Sequence, residues 1–76
     1  MKAFVLISLK ECDEKNFLEE LRKHSEVKHA YVLFGEWDII AELEMTNAED
    51  LGTFIMDNIR SKECVKLTSS LVVASQ

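Results

Sequence analysis

Tyr31-Val32-Leu33-Phe34-Gly35-Glu36-Trp37-Asp38-Ile39-Ile40-Ala41-Glu42-Leu43 is the stretch that decides the fold. Two β-rich runs flank a corner holding Gly35, with an aromatic and two carboxylates, Glu36 and Asp38, at the tip. Beyond the corner, apolar residues return at every second position, Trp37, Ile39, Ala41 and Leu43, which predicts a hairpin with one face buried. Gly35 is one of only two glycines in the chain. It stands where a positive φ is least costly, so it is expected to set the register of both strands. A slip of one residue would turn Trp37, Ile39, Ala41 and Leu43 to the wrong face.

Upstream of this hairpin, Lys2 to Lys10 reads as a first strand. Ala3, Val5, Ile7 and Leu9 point one way while Phe4 and Leu6 point the other, so the strand is expected to be central in its sheet. Asp13 is placed to cap a helix with Glu14 in its first turn and Arg22, Lys23 and His24 in its last, each sign favourable to the helix dipole. Phe17, Leu18 and Leu21 form its apolar stripe. Val27 to Phe34 is the second strand and Trp37 to Met45 the third. Thr46-Asn47-Ala48-Glu49 fits a capping box, which predicts a second helix starting there. Ala48, Leu51, Ile55 and Ile59 line its stripe, Phe54 widens it, Met56 falls off it, and Arg60 and Lys62 close it. Val65 to Ala74 is the last strand, apolar on both faces (Val65, Leu67, Leu71 and Val73 against Val72 and Ala74) and interrupted by Thr68, Ser69 and Ser70.

The order is βαββαβ. Right-handed crossovers around one tight hairpin give an α+β, ferredoxin-like sandwich with antiparallel sheet order 4-1-3-2 and both helices on one face. The other face still carries Phe4 and Leu6. That apolar surface predicts sheet-to-sheet dimerisation of the dimeric α/β-barrel type.

Composition narrows the function classes. A chain of 76 residues makes one domain with a small core, so help from a partner is expected. Two cysteines without CxxC spacing, and no leader-like N-terminus, point to a reduced cytoplasmic protein. No run is long enough to span a membrane. A formal net charge of -5, from 14 acidic and 9 basic residues, repels a phosphate backbone and argues against direct contact with nucleic acid. The absence of proline and of low-complexity tracts makes the chain compact throughout.

The segment Val27-x-x-Ala30-x-x-Leu33-Phe34-Gly35-x-Trp37-Asp38-Ile39, followed by Ile59-Arg60 and then Val65-x-x-Thr68-x-Ser70, resembles the ligand-binding (RAM) domain of the Lrp/AsnC transcriptional regulators. The resemblance runs the full chain, residues 1–76. Its most specific part is the Gly-x-aromatic-Asp corner combined with the Val-x-x-Thr-x-Ser start of the last strand. Met1 leads directly into the first strand, so the chain resembles a stand-alone form lacking the helix-turn-helix domain. Three positions depart from the family pattern: Glu11-Cys12 and Cys64 stand where glycine is common, and Ser70 where threonine is usual.

The resemblance implies an effector sensor whose dimers assemble into higher oligomers and bind a free amino acid between them. The implied ligand-binding residues are Phe34, Gly35, Glu36, Trp37, Asp38, Thr68 and Ser70. No cofactor, metal or catalytic residue is implied. In the 4-1-3-2 order, strands 2 and 4 are opposite edges, three spacings of roughly 4.8 Å apart. One small ligand therefore touches Gly35 and Thr68 only if they come from different chains, which links binding to assembly.

Each residue also has a plainer reading. Gly35 serves the turn's φ, a ligand contact, or both. Asp38 accepts hydrogen bonds from the turn's own amides or holds a ligand ammonium. Trp37 is a core or interface anchor whose indole needs a hydrogen-bond partner either way. Thr68 and Ser70, two apart, share a face and suggest a site or a wet seam. Asp38, Glu42 and Glu44 share a face of the third strand, where a salt-bridged surface is the simpler account than paired-carboxylate chemistry. His24 and His29 lack metal-pair spacing. Cys12 and Cys64 fall at one end of the sheet, near adjacent strands 1 and 4, and are expected to be free thiols; a Cα separation beyond about 7 Å would rule out a bridge between them.

Two other functions compete. One is an assembly partner of full-length regulators that binds no ligand. The other is a small enzyme of the monooxygenase or isomerase type, which needs polar groups on the helical stripes where Phe17, Leu18, Leu21, Leu51, Ile55 and Ile59 stand.

Overall fold

The computed structural model describes residues 1–75. In chain order the elements are β1 (Lys2–Leu9), α1 (Glu14–Arg22), β2 (Val27–Val32), β3 (Ile39–Glu44), α2 (Ala48–Ile55), a widened π-type segment (Met56–Arg60) and β4 (Val65–Val72). The strands form one antiparallel sheet in the order β2-β3-β1-β4, which is the expected order read from the other edge.

Alternation in β1 and β3 builds the core. Ala3, Val5 and Ile7 of β1 and Ile39, Ala41 and Leu43 of β3 are fully buried, and they join Ala30, Phe17, Leu18, Leu21, Leu51, Phe54, Ile55 and Ile59 in one cluster. Both helices thus lie on the same face of the sheet. Truncating Ile7 or Ile39 to alanine would cost about 2–5 kcal/mol at such sites. Among the described residues no polar side chain is buried, so the core is held by apolar packing alone.

The opposite face is open. In one row across it Tyr31 faces Ile40, Ile40 faces Leu6 and Leu6 faces Ser69; in the next, Glu42, Phe4 and Leu71 stand side by side. Phe4, Leu6 and Ile40 are half-buried by their neighbours, whereas Tyr31, Leu67 and Leu71 are 55%, 57% and 52% exposed.

The helix ends show which capping signals operate. At α1, the Asp13 carboxylate accepts from the Asn16 amide at 3.1 Å, as expected. At its other end Arg22 donates from its guanidinium to the Ala30 carbonyl at 2.6 Å, tying the helix to the edge strand β2. The capping box is a correction. The N-cap of α2 is Asn47 rather than Thr46: Asn47 Oδ1 accepts from the Asp50 amide at 2.8 Å and its Nδ2 donates to the Asp50 carboxylate at 3.3 Å. An amide carries both an acceptor and a donor, so Asn47 caps the Asp50 amide and also holds the Asp50 side chain, one residue later than the threonine signal.

Beyond Ile55 the helix widens. Leu51, Ile55 and Ile59 recur every four residues, a longer period than the 3.6 of an α-helix, and the wider turn keeps Ile59 fully buried on the same stripe. Asn58 and Ser61 bond back to the carbonyls of Phe54 and Asp57 at 3.2 and 2.6 Å, satisfying groups at the opened turn. Met56 is exposed, as its place off the stripe predicts.

Two strand expectations also change. The hairpin is not tight: β2 stops at Val32 and β3 starts at Ile39, so Leu33 to Asp38 form a loop closed by the Leu33 amide donating to the Asp38 carbonyl at 2.8 Å. Trp37 therefore sits in the loop and not in β3. In β4 a register shift opposite Ser8 and Leu9 turns Val65 to the Leu9 side while Leu67 faces Ser8, so Val65 does not share the face of Leu67 and Leu71.

Candidate functional site

Of the residues the sequence points to, Phe34, Gly35, Glu36, Trp37 and Asp38 form the loop between β2 and β3. Gly35 has φ +142°, the only positive φ among the described residues, and a Cβ built there would meet nothing within 4 Å. The backbone angle, not crowding, therefore requires glycine at this point. Phe34 is fully exposed and Glu36 is exposed, while Trp37 and Asp38 are half-buried.

Asp38 is the anchor of the loop. Its amide donates to the Ile7 carbonyl at 2.9 Å, its carbonyl accepts from Leu33, and its Oδ2 accepts from the Leu9 amide at 2.7 Å. The carboxylate thus serves the amide of a neighbouring strand rather than those of its own turn. Carboxylate oxygens accept more than one hydrogen bond, so this one keeps capacity to face a cation from outside.

Thr68 and Ser70 occupy a separate place. Thr68 stands opposite Ile7 and Ser70 opposite Val5, so both are on the helix side of the sheet, at the β4 edge that the helices leave partly uncovered. Ile7 in turn stands opposite Ile39. Two strand spacings, roughly 10 Å, therefore separate Thr68 from the start of β3, and a third separates it from β2. Within one chain the corner and the Thr68–Ser70 pair do not converge.

Beside Thr68 lies a groove of about 320 Å³ lined by Arg60, Val65, Lys66, Leu67 and Thr68. Sequence reasoning assigned Arg60 to the helix end and missed its place next to Thr68. The short connection from Ser61 to Cys64 was the available signal, because it forces the end of the helix against the start of β4. A larger cleft of about 580 Å³ lies where β3 ends, and Glu26, Glu44, Asp50 and Asp57 are among its lining residues. It is distant from the corner, and its carboxylates oppose any anionic ligand.

The remaining candidates take structural roles. Glu42 pairs with Lys2 at 3.8 Å, and a hydrogen bond from the terminal ammonium holds Glu44 below the usual carboxylate range. His24 meets the Phe54 ring edge-on and His29 stacks on Tyr31, at 5.3 and 6.1 Å between centroids. Among the described residues no group of three or more histidine, cysteine or acidic side chains is arranged to hold a metal. No described helix is long and apolar enough to cross a membrane.

These features define a class: a ferredoxin-like α+β domain with one uncovered sheet face and a glycine-centred corner at its rim. Residues 2–76 match the Lrp/AsnC ligand binding domain, and the chain belongs to that family. It is 30% identical to the HTH-type transcriptional regulator FL11 of Pyrococcus furiosus over 71 residues, covering 93% of this chain and 46% of that protein. A second regulator of the same organism matches 78% of this chain and 39% of its own length, so the chain spans less than half of these relatives. The crystal structure of hypothetical protein PHS023 from Pyrococcus horikoshii superposes with a TM-score of 0.88 at 33% identity, covering 99% of this chain and 90% of that one. The transcriptional regulator NMB0573 of Neisseria meningitidis, solved as a complex with L-Met, superposes at 0.89 with 25% identity over 99% of this chain and 50% of that one.

Proposed function

We propose that this chain is an effector-binding sensor domain that takes a free amino acid at a site shared between subunits of a cytoplasmic oligomer. The observation that carries this reading is the separation of the two residue groups. Phe34, Gly35, Glu36, Trp37 and Asp38 stand at one rim, and Thr68 and Ser70 stand at least two strands away. Two half-sites on one small subunit become a whole site when subunits meet. The exposed Tyr31, Leu67 and Leu71 give the surface through which dimers form, and the corner joins dimers into higher oligomers.

The chemistry suits an amino acid. Asp38 and Glu36 offer carboxylates to an α-ammonium, and the hydroxyls of Thr68 and Ser70, with Arg60 beside Thr68, offer donors and positive charge to an α-carboxylate. The related regulator bound to L-Met supports this ligand class. The net charge of -5 opposes contact with nucleic acid, so the effect on transcription runs through DNA-binding regulators of the same family.

Thermal-shift screening of the free amino acids, run beside light scattering, tests the proposal. A specific amino acid present at about one hundred times its Kd is expected to raise Tm by roughly 10 °C and to change the particle size. A monomeric protein that no amino acid stabilises overturns it. An oligomer that no amino acid stabilises favours the assembly partner instead.

A further inference from the structure

Cys12 lies in the connection from β1 to α1, and Cys64 immediately precedes β4. The two connections are bound together through the backbone: the Lys10 amide donates to the Cys64 carbonyl at 2.7 Å, extending the β1–β4 pairing past the shift at Leu9. The Cys12 thiol is raised above its ordinary value chiefly by the neighbouring Cys64 side chain. Both are unbridged, with Cys12 exposed and Cys64 half-buried. Cysteines on two connections already bonded to each other through the backbone are placed to join with little movement.

We infer that Cys12 and Cys64 form a reversible redox pair, closing to an intramolecular disulfide when a hydroperoxide reaches them. One thiolate attacks a peroxide oxygen; the O–O bond breaks, the departing alkoxide takes a proton and leaves as an alcohol, and the sulfur becomes a sulfenic acid. The second cysteine's sulfur then attacks that sulfur, and hydroxide leaves as water with the second thiol's proton. Two thiols and one hydroperoxide give one disulfide, one alcohol and one water, with the peroxide bond taking up the two electrons the sulfurs lose.

The surroundings select the oxidant. Glu11, Asp13 and Glu14 flank Cys12, and Glu63 adjoins Cys64. This negative field repels an anionic disulfide such as oxidised glutathione and leaves a neutral hydroperoxide unhindered. The neighbouring Cys64 side chain, then desolvation, then repulsion by Cys64, Asp13 and Glu14 raise the Cys12 thiol to about 11, so its oxidation is expected to quicken as pH rises toward that value. The closed bridge pins the β1–α1 connection to the start of β4, next to the groove of Arg60, Val65 and Thr68.

The test treats the purified chain with a small molar excess of hydrogen peroxide and follows intact mass, peptide maps and melting. Expected are the loss of two hydrogens in the monomeric chain, a linked Cys12–Cys64 peptide, and a rise in Tm on the order of 10 °C, all reversed by dithiothreitol. Oxidised glutathione at the same concentration is expected to act more slowly. Cys12→Ser and Cys64→Ser, each checked for an unchanged circular dichroism spectrum, are expected to stop at a sulfenic acid that dimedone traps. If the parent chain accumulates sulfinic acid, or bridges only between chains, the pair is not a switch.

Discussion

Leu9 donates its amide to the carboxylate of Asp38 at 2.7 Å, across the point where the β1–β3 pairing ends. The bond fastens the corner loop to the central strand, so one residue of the candidate site also closes a ladder. Asp38→Ala leaves the Leu9 amide without its acceptor and is expected to destabilise the fold by about 1–3 kcal/mol. Asp38→Asn keeps an acceptor oxygen and is expected to cost less than about 1.5 kcal/mol while weakening amino-acid binding at least tenfold, about 1.4 kcal/mol, because the charge is gone. Urea unfolding and calorimetric titration of both variants separate the two roles.

Gly35 and Gly52 make opposite predictions from the same open space. A Cβ at either meets nothing within 4 Å, but Gly35 has φ +142° while Gly52 lies inside α2. Gly35→Ala is expected to destabilise by about 1–3 kcal/mol through its backbone angle alone. Gly52→Ala is expected to stabilise by about 0.5–1 kcal/mol, since alanine loses less freedom on entering a helix. Denaturant midpoints at one fixed protein concentration check both.

Replacing Asn47 by alanine is expected to cost about 1 kcal/mol, because the Asp50 amide loses its 2.8 Å acceptor. Replacing Thr46, the residue a capping-box pattern favours, is expected to stay within about 0.5 kcal/mol of the parent. Equal losses at the two positions in thermal melts would contradict the cap seen here.

Cys12 carries an alkaline signature. Its folded-state thiol is raised from 9.0 to about 11, so between these values the folded chain keeps a proton that the unfolded chain has released. The contribution is fully present below pH 9 and is lost as pH rises through about 11. Stability measured under reducing conditions is expected to fall across that window, and the fall is expected to be shallower in Cys12→Ser.

Tyr31 and Leu71 lie on the uncovered face, half or more exposed. Tyr31→Glu with Leu71→Glu places two charges in the dimer surface proposed here. Sedimentation is expected to show monomers in place of dimers, with the circular dichroism spectrum retained, because neither side chain belongs to the core.

The fold was legible because β1 and β3 write their two faces into alternate positions. Ala3, Val5 and Ile7 against Phe4 and Leu6, then Ile39, Ala41 and Leu43 against Ile40, specify a central pair of strands, and two capped helices leave one order for the rest. Local competition was less legible. Thr46 and Asn47 are both good caps, and only the geometry at Asp50 decides between them. The shift beside Leu9 is followed by the bond from Lys10 to Cys64, a contact between residues far apart in sequence, so no local pattern turns Val65 inward. The corner was visible as Gly35 and Asp38, yet Arg60 beside Thr68 was not. A charged residue at a helix end reads as a dipole partner until the following strand is seen to pass beneath it.

The guanidinium of Arg22, seated on the Ala30 carbonyl at 2.6 Å, has a further effect. It occupies an acceptor on the outer margin of β2, where a stray polypeptide seeking to lengthen the sheet would otherwise begin. A side chain whose other duty is to hold a helix thus also guards one position of that border.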